Sequence, residues 1–269
     1  MIPGPRHLYL ALAYYASWGL FMGFGLILSV CSLPLLPWRD RAGLHKKMRA
    51  IQRWLFRVWI AWFHASGVLR LVWKNFNEPL APGTVYISTH PSLIDAPLLL
   101  GRLPDSICVV KPAIMRNPAL GAAAIVAGFV TGSNDVDMIR AVSDKVRAGS
   151  SLLIFPEGTR TEPGTALNPF KPGFALIASR ASAPVRLIIT RASAGFVTRG
   201  RPWWKLPDVL PATMEFSLDR AWPHDPEKSA ATLSAEIETH VRAILRGNSN
   251  NQWPDSKRPD SKRPPDNSK

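Results

Sequence analysis

A histidine and a carboxylate lie five positions apart in the stretch STHPSLIDAP, residues 88–97. In a regular helix His90 and Asp95 would point about 140° apart and could not touch. Pro91 favours a helix that begins after His90, so that the imidazole can fold back over the first turn toward Asp95. The carboxylate would fix the tautomer and stabilise the imidazolium that forms when the other ring nitrogen takes a proton. The pair is a candidate general base, and helix capping is the structural alternative.

A second polar cluster, FPEGTR, begins at the last residue of the apolar run SLLIF, residues 151–155. Its four functional positions are Glu157, Gly158, Thr159 and Arg160. A carboxylate, a flexible glycine, a hydroxyl and a guanidinium in consecutive positions can bind a phosphate or another polar head group through the arginine and backbone N–H groups. An ordinary charged turn has the same composition, so the cluster indicates a binding site only in combination with the first motif.

Strand and helix patterns alternate around both motifs. Short runs of apolar and β-branched residues predict strands, and apolar residues at helical spacing predict helices. The predicted strands are residues 84–89, 106–110, 151–155, 184–190 and 213–218, and the predicted helices begin near residues 91, 117, 135, 171 and 226. This alternation predicts an α/β domain over residues 75–247. Residues 248–269 repeat polar residues and prolines, which predicts a disordered tail.

Residues 1–38 form an apolar N-terminal segment, with no charged residue between positions 8 and 38. This stretch exceeds the roughly 20 residues that cross a hydrocarbon core of about 30 Å, which predicts a membrane segment. Its length and the basic residues that follow it argue against a cleaved signal peptide. Its glycines, together with Pro34 and Pro37, leave open a single membrane helix or a re-entrant helical hairpin.

A basic segment with interleaved aromatic residues follows at positions 39–74. Seven arginines and lysines between positions 39 and 57 oppose a single acid, Asp40. The pattern predicts an amphipathic interfacial helix on the cytoplasmic side of a membrane, by the positive-inside tendency. The whole chain has a net charge of +14, but its cations cluster where lipid phosphates supply the counter-charge. We therefore expect membrane lipids, and no nucleic acid, as partners.

Metal and disulfide chemistry are not expected. The chain has two cysteines, Cys31 and Cys108, and Cys31 lies within the apolar segment. Its six histidines include no close pair and no HExxH pattern. Neither a disulfide framework nor a metal site is therefore predicted.

Together, HPSLID and FPEGTRT resemble the paired motifs of the glycerolipid acyltransferase family, which includes the lysophosphatidate acyltransferases. The resemblance covers roughly residues 75–220 and implies a mixed α/β sheet covered by helices. In that family the histidine deprotonates an acceptor hydroxyl, which attacks an acyl thioester on acyl-carrier protein or coenzyme A. Carried over, the resemblance makes His90 the base and Asp95 the residue that orients it. It implies that the acceptor is held by Glu157, Gly158, Thr159, Arg160 and Lys171.

The resemblance also implies partners and a location. The acyl thioester is a co-substrate, so no cofactor is expected, and acyl-carrier protein is the expected donor partner. The net positive charge would favour docking of an acidic carrier protein by electrostatic steering. With the basic flank, the resemblance predicts a bacterial-type inner membrane protein whose catalytic domain lies on the cytoplasmic side.

Two departures from the family pattern bear on the acceptor. Thr89 precedes the histidine where the family often has asparagine, and residues 126–135 lack an arginine that assists phosphate recognition in the family. The expected acceptor is a lysophospholipid-like molecule, and a specialised non-glycerophosphate lipid is the alternative. The motifs also leave open a non-catalytic lipid-binding relative and a lipid hydrolase that uses the same base to activate water.

Overall fold

One mixed sheet carries both motifs in the computed structural model, which describes residues 4–132, 136–193 and 195–247. The strands within these residues are β1 (Leu69–Lys74), β2 (Val85–Ser88), β3 (Ser106–Val110), β4 (Val130–Thr131), β5 (Ser151–Ile154), β6 (Val185–Ala192) and β7 (Ala212–Trp222). They lie in the order β1-β7-β6-β2-β5-β3-β4. Strands β6 and β7 are antiparallel, and the other neighbouring pairs are parallel. The predicted mixed α/β sheet is confirmed.

Helices cover both faces of this sheet. They are α1 (Pro5–Ser32), α2 (Ala42–Ser66), α3 (Asp95–Arg102), α4 (Pro112–Met115), α5 (Gly121–Val126), α6 (Val136–Arg147), α7 (Gly173–Ala181) and α8 (Ala230–Gly247), and a short 3-10 helix, Leu33–Trp38, follows α1. Side chains of a strand point alternately to its two faces. Tyr86 of β2 accordingly packs in a core with α1, α2 and α3, whereas Val85 and Ile87 pack in a second core with α6, α7 and α8.

Helix α1 is both an apolar helix and a part of the first core. Its best window has a mean hydropathy of 2.1, and the helix is long and apolar enough to cross a membrane by length and composition. Leu10, Tyr14 and Trp18 are nevertheless buried against the domain. The indole N–H of Trp59 on α2 donates a hydrogen bond to the carbonyl of Ser17 at 2.8 Å. One face of α1 is therefore fastened to the body of the protein.

The basic helix is shorter than predicted. Helix α2 ends at Ser66, where Gly67 takes a left-handed conformation with a φ of 64°. The end of the predicted interfacial segment, residues 69–74, is instead the edge strand β1, which pairs in parallel with β7. Leu69 and Leu71 alternate into the core, which a helix could not achieve at that spacing. The α/β domain therefore begins at β1 and not at residue 75.

Two further predictions meet the structure at the N-terminal segment and the first motif. Residues 5–32 form one continuous helix, so the described part of the segment is a helix and not a hairpin. The helix predicted at Pro91 begins at Asp95, and residues 91–94 form a turn in which the Ser92 N–H donates to the Asp95 carboxylate. The predicted tail, residues 248–269, lies outside the described residues.

Candidate active site

His90 and Asp95 meet at the carboxyl end of β2. His90 lies two residues beyond that strand, and Asp95 is the first residue of α3. The Nδ1 atom of His90 is 2.9 Å from Oδ2 of Asp95, so the structure brings together the two side chains as their spacing predicts. The same oxygen accepts the backbone N–H of Ser92 at 2.9 Å. The turn over residues 91–94 makes this contact possible, since five helical positions would separate the two side chains.

Asp95 is fully buried, with 0% of its surface exposed. Its other oxygen, Oδ1, has no hydrogen-bond partner among the described residues. Burial raises the pKa of the Asp95 carboxyl, and the hydrogen bonds from His90 and Ser92 oppose that rise. A carboxylate at Nδ1 keeps that nitrogen protonated, so Nε2 is the ring nitrogen that can accept a proton. This is the arrangement of a general base with its orienting acid.

The second motif holds His90 from the other side. The ring of Phe155 stacks on the imidazole, with 4.0 Å between centroids and 21° between planes. Oε1 of Glu157 accepts the backbone N–H of His90 at 2.9 Å. The backbone N–H of Thr161 donates to the carbonyl of His90 at 2.9 Å. The two motifs therefore form a single site, although 67 positions separate His90 from Glu157.

Glu157 is an internal hub of this site, with only 3% of its surface exposed. Besides the N–H of His90, it accepts the hydroxyl of Thr161 and the N–H of Asn168. Burial raises the pKa of the Glu157 carboxyl, and the hydrogen bonds from these three residues oppose the rise. Protein groups engage both oxygens, and one of these contacts holds the backbone of His90. That Glu157 also holds an acceptor, as the resemblance implied, stays a prediction.

Two cations flank the turn of the second motif. Nη1 of Arg160 donates to the carbonyls of Val197 and Thr198, each at 3.0 Å. Lys171 is exposed and lies over Gly158, since a Cβ on that glycine would come within 3.0 Å of the lysine Nζ. The glycine has a φ of +68°, so an L side chain there would also be strained. The turn therefore carries two positive groups, which suit an anionic ligand.

Thr89 fastens β2 to β6 immediately before His90. Its buried hydroxyl donates to the carbonyl of Thr190 at 3.0 Å and accepts the N–H of Thr190 at 2.8 Å. The hydroxyls of Ser88 and Thr190 are 2.8 Å apart. The family that the motifs resemble often has asparagine at this position. In this chain Thr89 and Thr190 bind each other and fix the start of the His90 turn.

Several residues of the site were not singled out from the sequence. Phe155 and Thr161 stand inside the second motif, so their position in it was a usable signal. Nothing in the sequence indicated Val197 and Thr198, because these residues contact Arg160 through their backbone carbonyls. Thr159, which was predicted to hold the acceptor, is half-buried in the turn beside Arg160. Within residues 4–132, 136–193 and 195–247 there is no group of three side chains that could hold a metal ion.

The fold and the paired motifs are similar to those of known acyltransferases. Residues 73–190, which contain every site residue named from the sequence, match the family model Acyltransferase. The fold is similar to the crystal structure of the 1-acyl-sn-glycerophosphate acyltransferase from Thermotoga maritima, with a TM-score of 0.62 and 19% identity over 91% of this chain and 97% of that one.

Two of the sequence relatives are 1-acyl-sn-glycerol-3-phosphate acyltransferases. A 1-acyl-sn-glycerol-3-phosphate acyltransferase of Cocos nucifera is 34% identical over 136 residues, which are 45% of this chain and 44% of the relative. One from Helicobacter pylori is 31% identical over 100 residues, which are 35% of this chain and 42% of the relative. The chain thus spans less than half the length of these relatives. Over residues 73–190 the chain is similar to glycerolipid acyltransferases.

Proposed function

We propose that this protein is a membrane-bound O-acyltransferase. It moves a fatty acyl group from a thioester of acyl-carrier protein or coenzyme A to the free hydroxyl of a 1-acyl-sn-glycerol-3-phosphate-like lysophospholipid. The observation that carries the proposal is the hydrogen bond between His90 and the buried Asp95, which leaves Nε2 as the basic nitrogen of the ring. The similarity to 1-acyl-sn-glycerol-3-phosphate acyltransferases supports the choice of acceptor.

The geometry supports direct transfer without a covalent enzyme intermediate. The acceptor hydroxyl gives its proton to Nε2 of His90 as its oxygen attacks the thioester carbonyl. The tetrahedral intermediate collapses, the carbon–sulfur bond breaks, and the thiolate takes the proton back from the imidazolium. Asp95 stabilises that imidazolium, and general-base help of this kind is worth roughly 10² to 10⁴ in rate. The products are the acyl ester and the free thiol.

The second motif supplies the acceptor site in this proposal. Arg160 and Lys171 bind the phosphate of the lysophospholipid, since both cations flank the turn that contacts His90. Glu157 is a positioning residue, because its carboxylate holds the backbone of His90. The carbonyls of Val197 and Thr198 fix the direction of the Arg160 guanidinium.

The proposed location is the cytoplasmic face of a bacterial-type inner membrane. Helix α1 exposes large apolar side chains, among them Leu12 and Ile27, along the face that does not pack on the domain. The cations of α2 follow directly and suit an anionic leaflet. Acyl-carrier protein is the proposed donor partner, because the net charge of +14 favours encounter with an acidic protein.

The test is an acyl-transfer assay with the purified protein and labelled palmitoyl-acyl-carrier protein. Lysophosphatidate and a total membrane-lipid extract are offered separately as acceptors. His90→Ala is expected to lower transfer by about 10² to 10⁴ without unfolding the protein. His64→Ala, which changes an exposed histidine at the end of α2, is the matched control and should keep full activity.

Each outcome of this assay points to one function. Label in phosphatidate that depends on His90 supports the proposal. Label found only in another lipid would mean that the acceptor is a specialised lipid. Free fatty acid released without any acceptor would indicate a hydrolase. Retained transfer in the His90→Ala protein would reject the histidine as the base, and no thioester consumption would indicate a lipid-binding relative.

A further inference from the structure

A basic cleft lies away from the active site, between α2, the end of α3 and the start of β3. Its volume is about 340 Å³, within the range of roughly 300 to 1,000 Å³ typical of ligand sites. Leu100 and Leu103 line it at the end of α3, whereas Asp95 opens that helix. Five and eight helical steps separate Asp95 from Leu100 and Leu103, which is about 8 and 12 Å along the axis, and no lining residue belongs to either motif. The cleft is therefore distinct from the His90 site.

The charges that line this cleft are unbalanced. Four cations, Lys46, Arg49, Arg53 and Arg57, face one carboxylate, Asp105. Arg49 is bound to Asp105 at 2.8 Å, which neutralises both groups. No carboxylate among the described residues pairs with the other three cations. Three positive charges in one concavity favour an anionic ligand, and a phosphate suits arginine forks best.

Two buried groups in the lining lack hydrogen-bond partners within the described part of the chain. One is Nε of Arg53, whose Nη2 donates to the carbonyl of Arg102. The other is Oε1 of Gln52, a side chain that is only 8% exposed. Buried polar groups are normally satisfied, so each such group calls for a ligand or a water. A guanidinium donor and an amide acceptor together suit a phosphate that carries a hydroxylated head group.

The surroundings of the cleft indicate a lipid and not a free ion. Trp54 lines it and is 61% exposed, and Ile51, about one turn earlier on α2, is also exposed. Exposed tryptophan beside basic side chains is typical of the membrane interface. Phe56 lines the cleft and its ring stacks on Phe21 of α1, with centroids 6.4 Å apart. The cleft therefore adjoins the apolar helix that would contact acyl chains.

We propose that this cleft binds the head group of an anionic phospholipid, a second lipid site separate from the acceptor site. Arg53, Arg57 and Lys46 bind the phosphodiester, and Gln52 accepts a hydrogen bond from a head-group hydroxyl. Trp54 packs along the upper acyl chain. The lipid holds α2 at the membrane surface, so the site orients the catalytic domain and takes no part in acyl transfer.

The test measures direct binding of soluble short-chain lipids to the full chain in neutral detergent. The probes are dihexanoyl phosphatidylglycerol, dihexanoyl phosphatidylcholine and inorganic phosphate. Titration calorimetry measures the binding of each probe. The cleft variant is Arg53→Gln with Arg57→Gln. The matched control is Arg41→Gln with Lys47→Gln, which removes the same charge from the same region at exposed positions outside the cleft. Arg57→Gln alone, at an exposed position, is the second variant if the pair fails to fold.

Phosphatidylglycerol is expected to bind more tightly than phosphatidylcholine. The cleft variant should bind phosphatidylglycerol about tenfold more weakly or worse, because each cation contributes to the binding free energy of an anionic lipid. The control should bind like the unaltered chain. Equal weakening in both double variants would overturn the proposal in favour of diffuse surface charge. Inorganic phosphate binding as tightly as the lipid would overturn it in favour of a free-anion site. Unchanged phosphatidylglycerol binding by the cleft variant would also overturn it, because the cations of the cleft would then not hold the lipid.

Discussion

At the scale of single residues, the site depends on a buried charge. Asp95 is fully buried, and two of its hydrogen bonds come from His90 and the Ser92 N–H. Burial alone would favour the neutral carboxyl, and these donors favour the carboxylate. The base at His90 works only when that balance leaves Asp95 ionised, because a neutral carboxyl cannot stabilise the imidazolium.

The pH dependence of transfer follows from the raised pKa of Asp95. A raised pKa means that the carboxyl takes up a proton at a higher pH than an exposed aspartate, whose pKa is about 3.9. Transfer, measured as kcat/KM, should therefore fall as the pH drops through the raised pKa. Asp95→Asn should lower kcat/KM by roughly 10² to 10⁴ at neutral pH, since the imidazolium loses its counter-charge.

Asp144→Asn is the control for this experiment, because it changes an exposed carboxylate on α6 that pairs with Arg147. It should leave both the rate and the pH profile unchanged. If the Asp95→Asn protein keeps the rate of the unaltered chain, the carboxylate is only a cap of α3.

At the scale of elements, the FPEGTR turn and the end of β2 are locked together. The hub is Glu157, which receives donors from the His90 turn, from Thr161 in its own turn and from Asn168 beyond it. A second lock joins Arg160 to the loop after β6 through the carbonyls of Val197 and Thr198. Val197 has a φ of 51°, an unfavourable conformation for a β-branched residue, so surrounding contacts hold this loop in place.

Glu157→Gln should therefore destabilise the fold as well as slow the reaction. The backbone N–H groups of His90 and Asn168 each donate to a different oxygen of the Glu157 carboxylate. A glutamine side chain has only one acceptor oxygen, so one of these donors would face an amide NH₂ group. An unsatisfied buried donor costs about 1–3 kcal/mol, which a chemical denaturation curve can measure. Glu162→Gln, at an exposed carboxylate in the same segment that pairs with Arg199, should cost much less. Equal costs for the two substitutions would contradict the hub role.

At the scale of the whole molecule, the apolar N-terminal helix is part of the domain. Trp18 of α1 contacts the rings of Trp59 on α2 and Trp203 in the loop that follows β6. The hydroxyl of Tyr14 donates to the carbonyl of Trp203. The helix therefore touches the same loop that holds Arg160, so the proposed membrane contact and the acceptor site share one structural support.

Trp18→Ala should accordingly destabilise the protein in detergent by about 3–5 kcal/mol, the usual cost of removing a large buried aromatic side chain. Ile27→Ala lies on the same helix, but that side chain is 64% exposed, so it should change the free energy of unfolding by less than about 0.5 kcal/mol. Unfolding midpoints in denaturant would compare the two proteins. A helix that served only as an anchor would give two equally small effects.

The sequence by itself determined the features that depend on neighbouring residues. The spacing of His90, Pro91 and Asp95 was enough to predict that the imidazole reaches the carboxylate, because a proline and a short turn act locally. The apolar length of the first segment predicted a membrane segment, with a single helix or a hairpin left open, and the alternation of strand and helix patterns predicted the α/β sheet.

Only the tertiary structure decided the features that join distant residues. The backbone clamp on Arg160 comes from residues 37 and 38 positions away, and the carboxylate that holds His90 comes from 67 positions away. Residues 69–74 became a strand because β7, far along the chain, offers them a parallel partner. The physical reason is that periodicity and turn chemistry are written in short windows, whereas hydrogen-bond partners and strand neighbours depend on how the whole chain packs.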